Sequence, residues 1–152
     1  MDEYLAAAID QAKQGMETGG VPIGSVLVLD DAIVGRGHNR QNQLQSIIRH
    51  AEIDCIDNAG VLKTADYRRS VLYTTLSPCD MCAGAIIFFN IPKVVIGENV
   101  NYQGAEAYLQ SRGVEVEVLN DPGCIQMLLE FDEHNPGAWN KGDYVIKKDY
   151  PL

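Results

Sequence analysis

Two short runs of this chain could together hold a metal ion and move protons: His50-Ala51-Glu52 and Pro78-Cys79-Asp80-Met81-Cys82. One imidazole and two thiolates form a donor set suited to Zn²⁺. Three protein ligands leave the fourth tetrahedral position open to water, which marks a catalytic zinc rather than a closed structural one. An open zinc lowers the pKa of its water towards neutrality, and Glu52 can take that proton and return it. Cys79 and Cys82 stand at i and i+3, so one helical turn can offer both sulfurs to one ion. Both runs fall at helix starts, where free N–H groups and the helix dipole favour the thiolate. Pro78 enters its helix with φ already set and no N–H to satisfy. His50 and Glu52, two residues apart, cannot serve one ion equally from a regular helix. The spacing therefore divides the labour: His50 ligates, and Glu52 reaches past the metal to the water.

A C-x-x-C pair alone fits a redox disulfide or half of a structural zinc site equally well. Here no second C-x-x-C completes a Cys₄ site, and a redox pair leaves His50-Ala51-Glu52 without a purpose. His38 and His134 stand outside metal-type spacings, and the H-E-x-x-H run of zinc proteases is absent. Attack of an activated water on an amidine-like carbon requires protons for the ring nitrogen and for the leaving amine. A single carboxylate can carry both. The residues by themselves reach an amino-heterocycle or amidine hydrolase, and they do not name the heterocycle.

The elements that must position these groups follow from hydrophobic spacing. Leu5, Ala8, Ile9, Ala12 and Met16 recur at helical intervals until Gly19-Gly20. Residues 21–29 are β-rich, Asp30-Asp31 makes a turn, and 33–37 return as the second strand of a hairpin. The polar stretch 39–45 reads as a loop. His50 opens a helix with Ile53, Ile56 and Ala59 on one face, closed by Gly60. Strand 71–75, helix 79–89, strand 93–96, helix 105–112, strand 115–119 and helix 122–131 complete the alternation. This pattern predicts an α/β fold, a three-layer α-β-α sandwich whose opening hairpin makes a central sheet of about five strands mixed. Residues 1–152 are expected to form one domain.

With 152 residues, 46% of them apolar, the chain can bury a sizeable core, and no run of apolar residues is long enough to span a bilayer. The acidic start Met1-Asp2-Glu3-Tyr4 lacks the features of a signal peptide, so a cytoplasmic protein is expected, with Cys55 and Cys124 as small buried hydrophobes. The net charge is −9, and the adjacent basic pairs are confined to Arg68-Arg69 and Lys147-Lys148. Grip on a phosphate backbone normally needs a basic face. A small neutral substrate is expected, not a nucleic acid.

The H-x-E…P-C-x-x-C arrangement is the signature of zinc-dependent nucleobase deaminases. Around it the chain carries Gly19-Gly20-Val21-Pro22-Ile23-Gly24, Gly35-Arg36-Gly37-His38-Asn39, Leu72-Tyr73-Thr74-Thr75-Leu76-Ser77, Gly97-Glu98-Asn99-Val100-Asn101 and Tyr108-Leu109-Gln110-Ser111-Arg112-Gly113. Over nearly its whole length it resembles the fungal-type cytosine deaminases of the cytidine deaminase-like superfamily. The resemblance implies a homodimer acting on a free base, with one zinc per chain on His50, Cys79 and Cys82 and with Glu52 as the proton shuttle. It implies that Asn39 pairs with the carbonyl and ring-nitrogen edge of the pyrimidine. The Ala51 N–H and the Ser77 carbonyl complete the contacts to the base, while Ile23, Leu76 and Tyr102 form the walls. Trp139 caps the pocket from a C-terminal segment, 132–152. Asp143 falls one residue later than the family's base-contacting Asp, and Ile47-Ile48-Arg49 is bulkier than usual before the zinc His. The same chemistry on isocytosine, guanine or another amino-heterocycle is the alternative that these departures allow. A tRNA adenosine deaminase shares the zinc segments, but the acidic balance and the C-terminal half point away from it.

Overall fold

The computed structural model of the chain describes residues 1–139. Its elements run α1 (Glu3–Glu17), β1 (Gly24–Leu29), β2 (Ala32–His38), α2 (Gln41–Leu44), α3 (Ala51–Ala59), α4 (Thr64–Tyr67), β3 (Ser70–Leu76), α5 (Asp80–Phe88), β4 (Lys93–Glu98), α6 (Glu106–Ser111), β5 (Glu115–Val118) and α7 (Pro122–His134). The strands form one sheet in the order β2-β1-β3-β4-β5. β1 lies antiparallel to both β2 and β3, whereas β3, β4 and β5 run parallel. This is the mixed five-stranded sheet that the alternation predicts.

Alternate side chains of the strands feed two cores. Leu27, Leu72, Val94 and Ile96 pack with Cys55 and Ile56 of α3, Ala83 and Ile86 of α5 and Leu109 of α6. On the other face, Val26 and Val28 meet Ala8 of α1, and Leu5 and Ile9 meet Cys124 of α7. β1 is buried on both sides and reads as a continuous apolar run for that reason. Asp30 and Asp31 both adopt positive φ, 49° and 62°, between the paired residues Leu29 and Ala32. Two positive φ values give the turn the hand that matches the strand twist, and Asp tolerates them better than branched residues do.

Four local features differ from the expected ones. The polar stretch 39–45 contains α2, one short turn whose four residues show no periodicity to read. α4 is equally short and equally silent in the sequence. β1 begins at Gly24 instead of Val21, because Pro22 has no N–H for a ladder and Val21 and Ile23 join a separate apolar cluster. α7 continues past Phe131 to His134.

The topology also decides where a site can form. β1 is antiparallel to its neighbours, so its start lies beside the ends of β2 and β3. Ile23 before β1, Asn39 after β2, and Leu76 and Ser77 at the end of β3 therefore converge at one sheet edge.

Candidate active site

His50 and Cys79 occupy equivalent positions on separate helices. Each is the N-cap residue, with extended backbone (ψ 163° and 175°), immediately before α3 and α5. Cys82 follows in the first turn of α5. His50 Nδ1 lies 3.4 Å from Cys79 Sγ and 3.6 Å from Cys82 Sγ. The three ligand atoms lie within 4.8 Å of one another. A tetrahedral ion with Zn–N and Zn–S bonds of ordinary length sets the N···S edge at about 3.5 Å. The donor set and its spacing fit zinc, and among the described residues it is the single such cluster.

The electrostatics of the cluster suit a cation. The hydrogen bond from Cys82 lowers the Cys79 thiol to about 4, aided by His50, while burial opposes the shift. Cys82 moves the other way, because the Cys79 thiolate beside it and its own burial both keep its proton on. Burial pulls the His50 pKa down, but the Cys79 contact and the charges of Glu52 and Cys79 outweigh it and the net shift is upward. The surroundings favour a thiolate at Cys79, and a divalent cation would favour the second too.

Glu52 is fully buried, and desolvation raises its pKa. Its two oxygens are both engaged. Oε1 accepts from the Thr74 hydroxyl at 3.2 Å, and Oε2 accepts from the Cys82 thiol at 3.3 Å. The carboxyl group is therefore held between β3 and the cysteines, at the edge of the cavity.

That cavity is lined by Ile23, Asn39, Gln41, His50, Ala51, Glu52, Leu76, Ser77, Cys79, Tyr102 and Trp139. The residues singled out from the sequence are thus brought to one place, apart from Asp143, which lies outside the described residues, as does 140–152 of the expected capping segment. The free space is only about 40 Å³, against about 300–1,000 Å³ for drug-sized sites. Trp139 is 9% exposed and packs with Val21, Ile23, Ala51, Leu76 and Leu128. Ala51 begins α3, where a backbone N–H has no intrahelical partner. The Ser77 side chain faces away from this role. Its hydroxyl donates to Glu106 Oε1 (2.8 Å) and accepts from the Gly104 N–H (2.9 Å), bracing the loop that carries Tyr102.

Gly104 is required there by close approach. An added Cβ would collide with the Pro78 carbonyl, which already accepts from the Ala105 N–H at 2.9 Å, and would come 3.1 Å from the Tyr102 ring. Gly104→Ala is expected to destabilise the protein by about 1–3 kcal/mol and to weaken zinc retention, because Pro78 leads directly into Cys79. Thermal unfolding and metal content of the purified variant measure both effects.

Asp54 emerges as a second structural centre. It is completely buried and accepts from the His38 N–H (3.0 Å), Arg40 Nε (3.0 Å) and Arg49 Nε (2.9 Å). The Arg40 N–H also donates to the Arg49 carbonyl at 2.9 Å. Arg40 follows Asn39 and Arg49 precedes His50, so one carboxylate pins both ends of the loop between a cavity residue and a metal ligand. Asp54, Gln41 and Thr74 all escaped the sequence reading. Asp54 was detectable as an acid one turn after His50 on a largely apolar helix with arginines nearby.

Residues 1–98 match the family model for the cytidine and deoxycytidylate deaminase zinc-binding region. The chain belongs to this family. As a zinc-dependent hydrolytic deaminase it is 46% identical over 138 residues to the cytosine deaminase of Candida albicans, covering 90% of this chain and 92% of that one. It is 45% identical over 95 residues to the tRNA-specific adenosine deaminase of Bacillus subtilis, covering 62% and 59% of the two chains. A structure solved in work on A-to-I editing by tRNA:A34 deaminases superposes with a TM-score of 0.69 at 30% identity, covering 84% of this deaminase and all of that chain.

Proposed function

We propose that this deaminase hydrolyses free cytosine to uracil and ammonia. The observation that carries the reading is the length of the likeness. Sequence similarity to a cytosine deaminase extends over 90% of the chain at 46% identity, whereas that to tRNA adenosine deaminases covers 62% at 45% identity or 74% at 34%. The narrow cavity and the acidic balance support a single small ring as substrate, not a polynucleotide.

His50, Cys79 and Cys82 hold the zinc, which supplies acidification of water near neutral pH. Asn39, the Ala51 N–H and the Ser77 carbonyl bind the base edge between the walls formed by Ile23, Leu76 and Tyr102, under Trp139. Glu52 accepts a proton from the attacking water and donates one to the ring nitrogen. It then passes the second proton to the departing amine, so that ammonia leaves and the carbonyl of uracil forms. Burial, which raises the pKa of Glu52, suits it to hold a proton between these transfers. Thr74 keeps the carboxyl turned towards the reacting centre.

No helix among the described residues is long and apolar enough to cross a membrane. We place the enzyme in the cytoplasm as a homodimer. The exposed apolar side chains of Leu44, Ile47 and Ile48, within five residues of one another, support a covered surface, and sedimentation of the zinc-loaded protein would read its mass. Residues 1–152 act as one domain, in which Trp139 closes over the base. The decisive experiment measures ammonia release from cytosine, isocytosine, guanine, cytidine and a tRNA anticodon stem. Cytosine is expected to react fastest, with about one zinc per chain and loss of turnover on chelation. Turnover of cytidine or the anticodon stem without turnover of cytosine overturns the reading.

A further inference from the structure

Asn39 is buried and in the cavity, and both ends of its carboxamide are engaged by the same neighbour. The Gln41 backbone N–H donates to Asn39 Oδ1 at 3.1 Å, and Asn39 Nδ2 donates to Gln41 Oε1 at 3.0 Å. Gln41 Nε2 in turn donates to the Ile47 carbonyl at 3.0 Å. The chain of bonds begins and ends on backbone groups of fixed polarity. A carbonyl can only accept and an N–H can only donate, so neither carboxamide can flip without placing like against like. Gln41 is 7% exposed and Asn39 2%, so a mismatched pair could not turn to water instead.

A carboxamide has two N–H donors and two acceptor lone pairs. Among the described residues, the Gln41 contacts use one lone pair of Oδ1 and one N–H of Nδ2. What remains on Asn39 is one acceptor and one donor of settled order. From this we propose that Gln41 is a positioning residue that fixes the polarity with which Asn39 reads a base, and so sets discrimination between bases of equal size. The proposal rests on the reading of the cavity as a nucleobase site.

Cytosine and isocytosine test it, because they superpose with the reacting amino group and the carbonyl in common. At the next ring position cytosine offers N–H where isocytosine offers C–H. Only a fixed Oδ1 at that position rewards the N–H. Replacing Gln41→Met keeps the length and the backbone N–H on Asn39 Oδ1 but leaves the buried Asn39 Nδ2 without its acceptor and breaks the link to Ile47, so the carboxamide is held at one end only and can swing out of register with the base. The ratio of kcat/KM for cytosine over isocytosine is expected to fall at least tenfold in zinc-loaded Q41M. Gln41→Glu can still accept from Asn39 Nδ2 and is expected to keep the ratio within about threefold, although it loses the Ile47 bond. A ratio unchanged in Q41M, or lost equally in both variants, overturns the proposal.

A measurement on the wild-type enzyme stands independently of how the variants fold. The Asn39 carboxamide should give one resolved pair of ¹⁵N-bound proton resonances with one proton protected from exchange. Two populations, or two freely exchanging protons, overturn the proposal. Failure of the wild type to prefer cytosine removes the substrate reading instead, and the carboxamide resonances then decide the role of Gln41 alone.

Discussion

Exchanging Glu52 for Gln is expected to lower kcat for cytosine by about a thousandfold, within the range spanned by general acid–base groups, while zinc stays near one per chain. The substitution preserves the shape of a fully buried side chain that touches Thr74 on one oxygen and Cys82 on the other. It removes the capacity to accept a proton from water and return it. None of the three metal-binding atoms belongs to Glu52, so occupancy and thermal stability should change little. The paired measurement is turnover of the variant and its metal content by mass spectrometry. Near-normal turnover would remove Glu52 from the reaction, and loss of zinc along with activity would make it part of the metal's support.

Asp54→Ala should produce the largest loss of stability of any single change considered. The carboxylate is completely buried, and it satisfies the His38 N–H and two guanidinium groups that are only partly exposed, at 38% and 25%. Removing one partner from such an arrangement costs about 3–5 kcal/mol, since the remaining groups keep their burial without their acceptor. For a chain of this size that corresponds to a fall in Tm of about 6–20 °C. Asp54→Asn, which retains one acceptor oxygen, should fall between the variant and the wild type. Because Arg40 and Arg49 flank Asn39 and His50, the Ala variant should also lose cytosine turnover below its unfolding transition. A shift under about 2 °C would show that the arginines and the His38 N–H find other partners.

The chemistry of the metal cluster was legible because ligand type and spacing are local: His50, Glu52, Cys79 and Cys82 lie within two short runs. The sheet was legible for the same reason, as strand alternation and helix periodicity are properties of neighbouring residues. Asn39 shows where local reading stops. A turn-forming Asn and a base-binding Asn look alike in sequence, and here one side chain does the first while lining the cavity: its Oδ1 accepts the Gln41 N–H two residues on. Thr74 sits in a buried strand that would be equally well served by Val. Its hydroxyl acquires meaning only when α3 brings Glu52 across from 22 residues away. Gln41 and α2 were hidden by a polar stretch too short to show a period. For Thr74 the missing information was a long-range contact; for Asn39 and Gln41 it was side-chain geometry inside a short loop, which no propensity reports.

His50 and Cys79 are 29 residues apart in the chain, and between them run α3, α4 and the whole of β3. They also belong to different parts of the sheet, one following the antiparallel hairpin and the other leading into the parallel crossover. A metal bridging them is therefore a cross-link as well as a Lewis acid. The unfolded chain, with these ligands scattered, does not hold the ion, so the binding free energy of the metal adds directly to the stability of the fold. The metal-loaded enzyme should thus resist unfolding and proteolysis far longer than the stripped protein, and its lifetime in the cell should follow zinc supply.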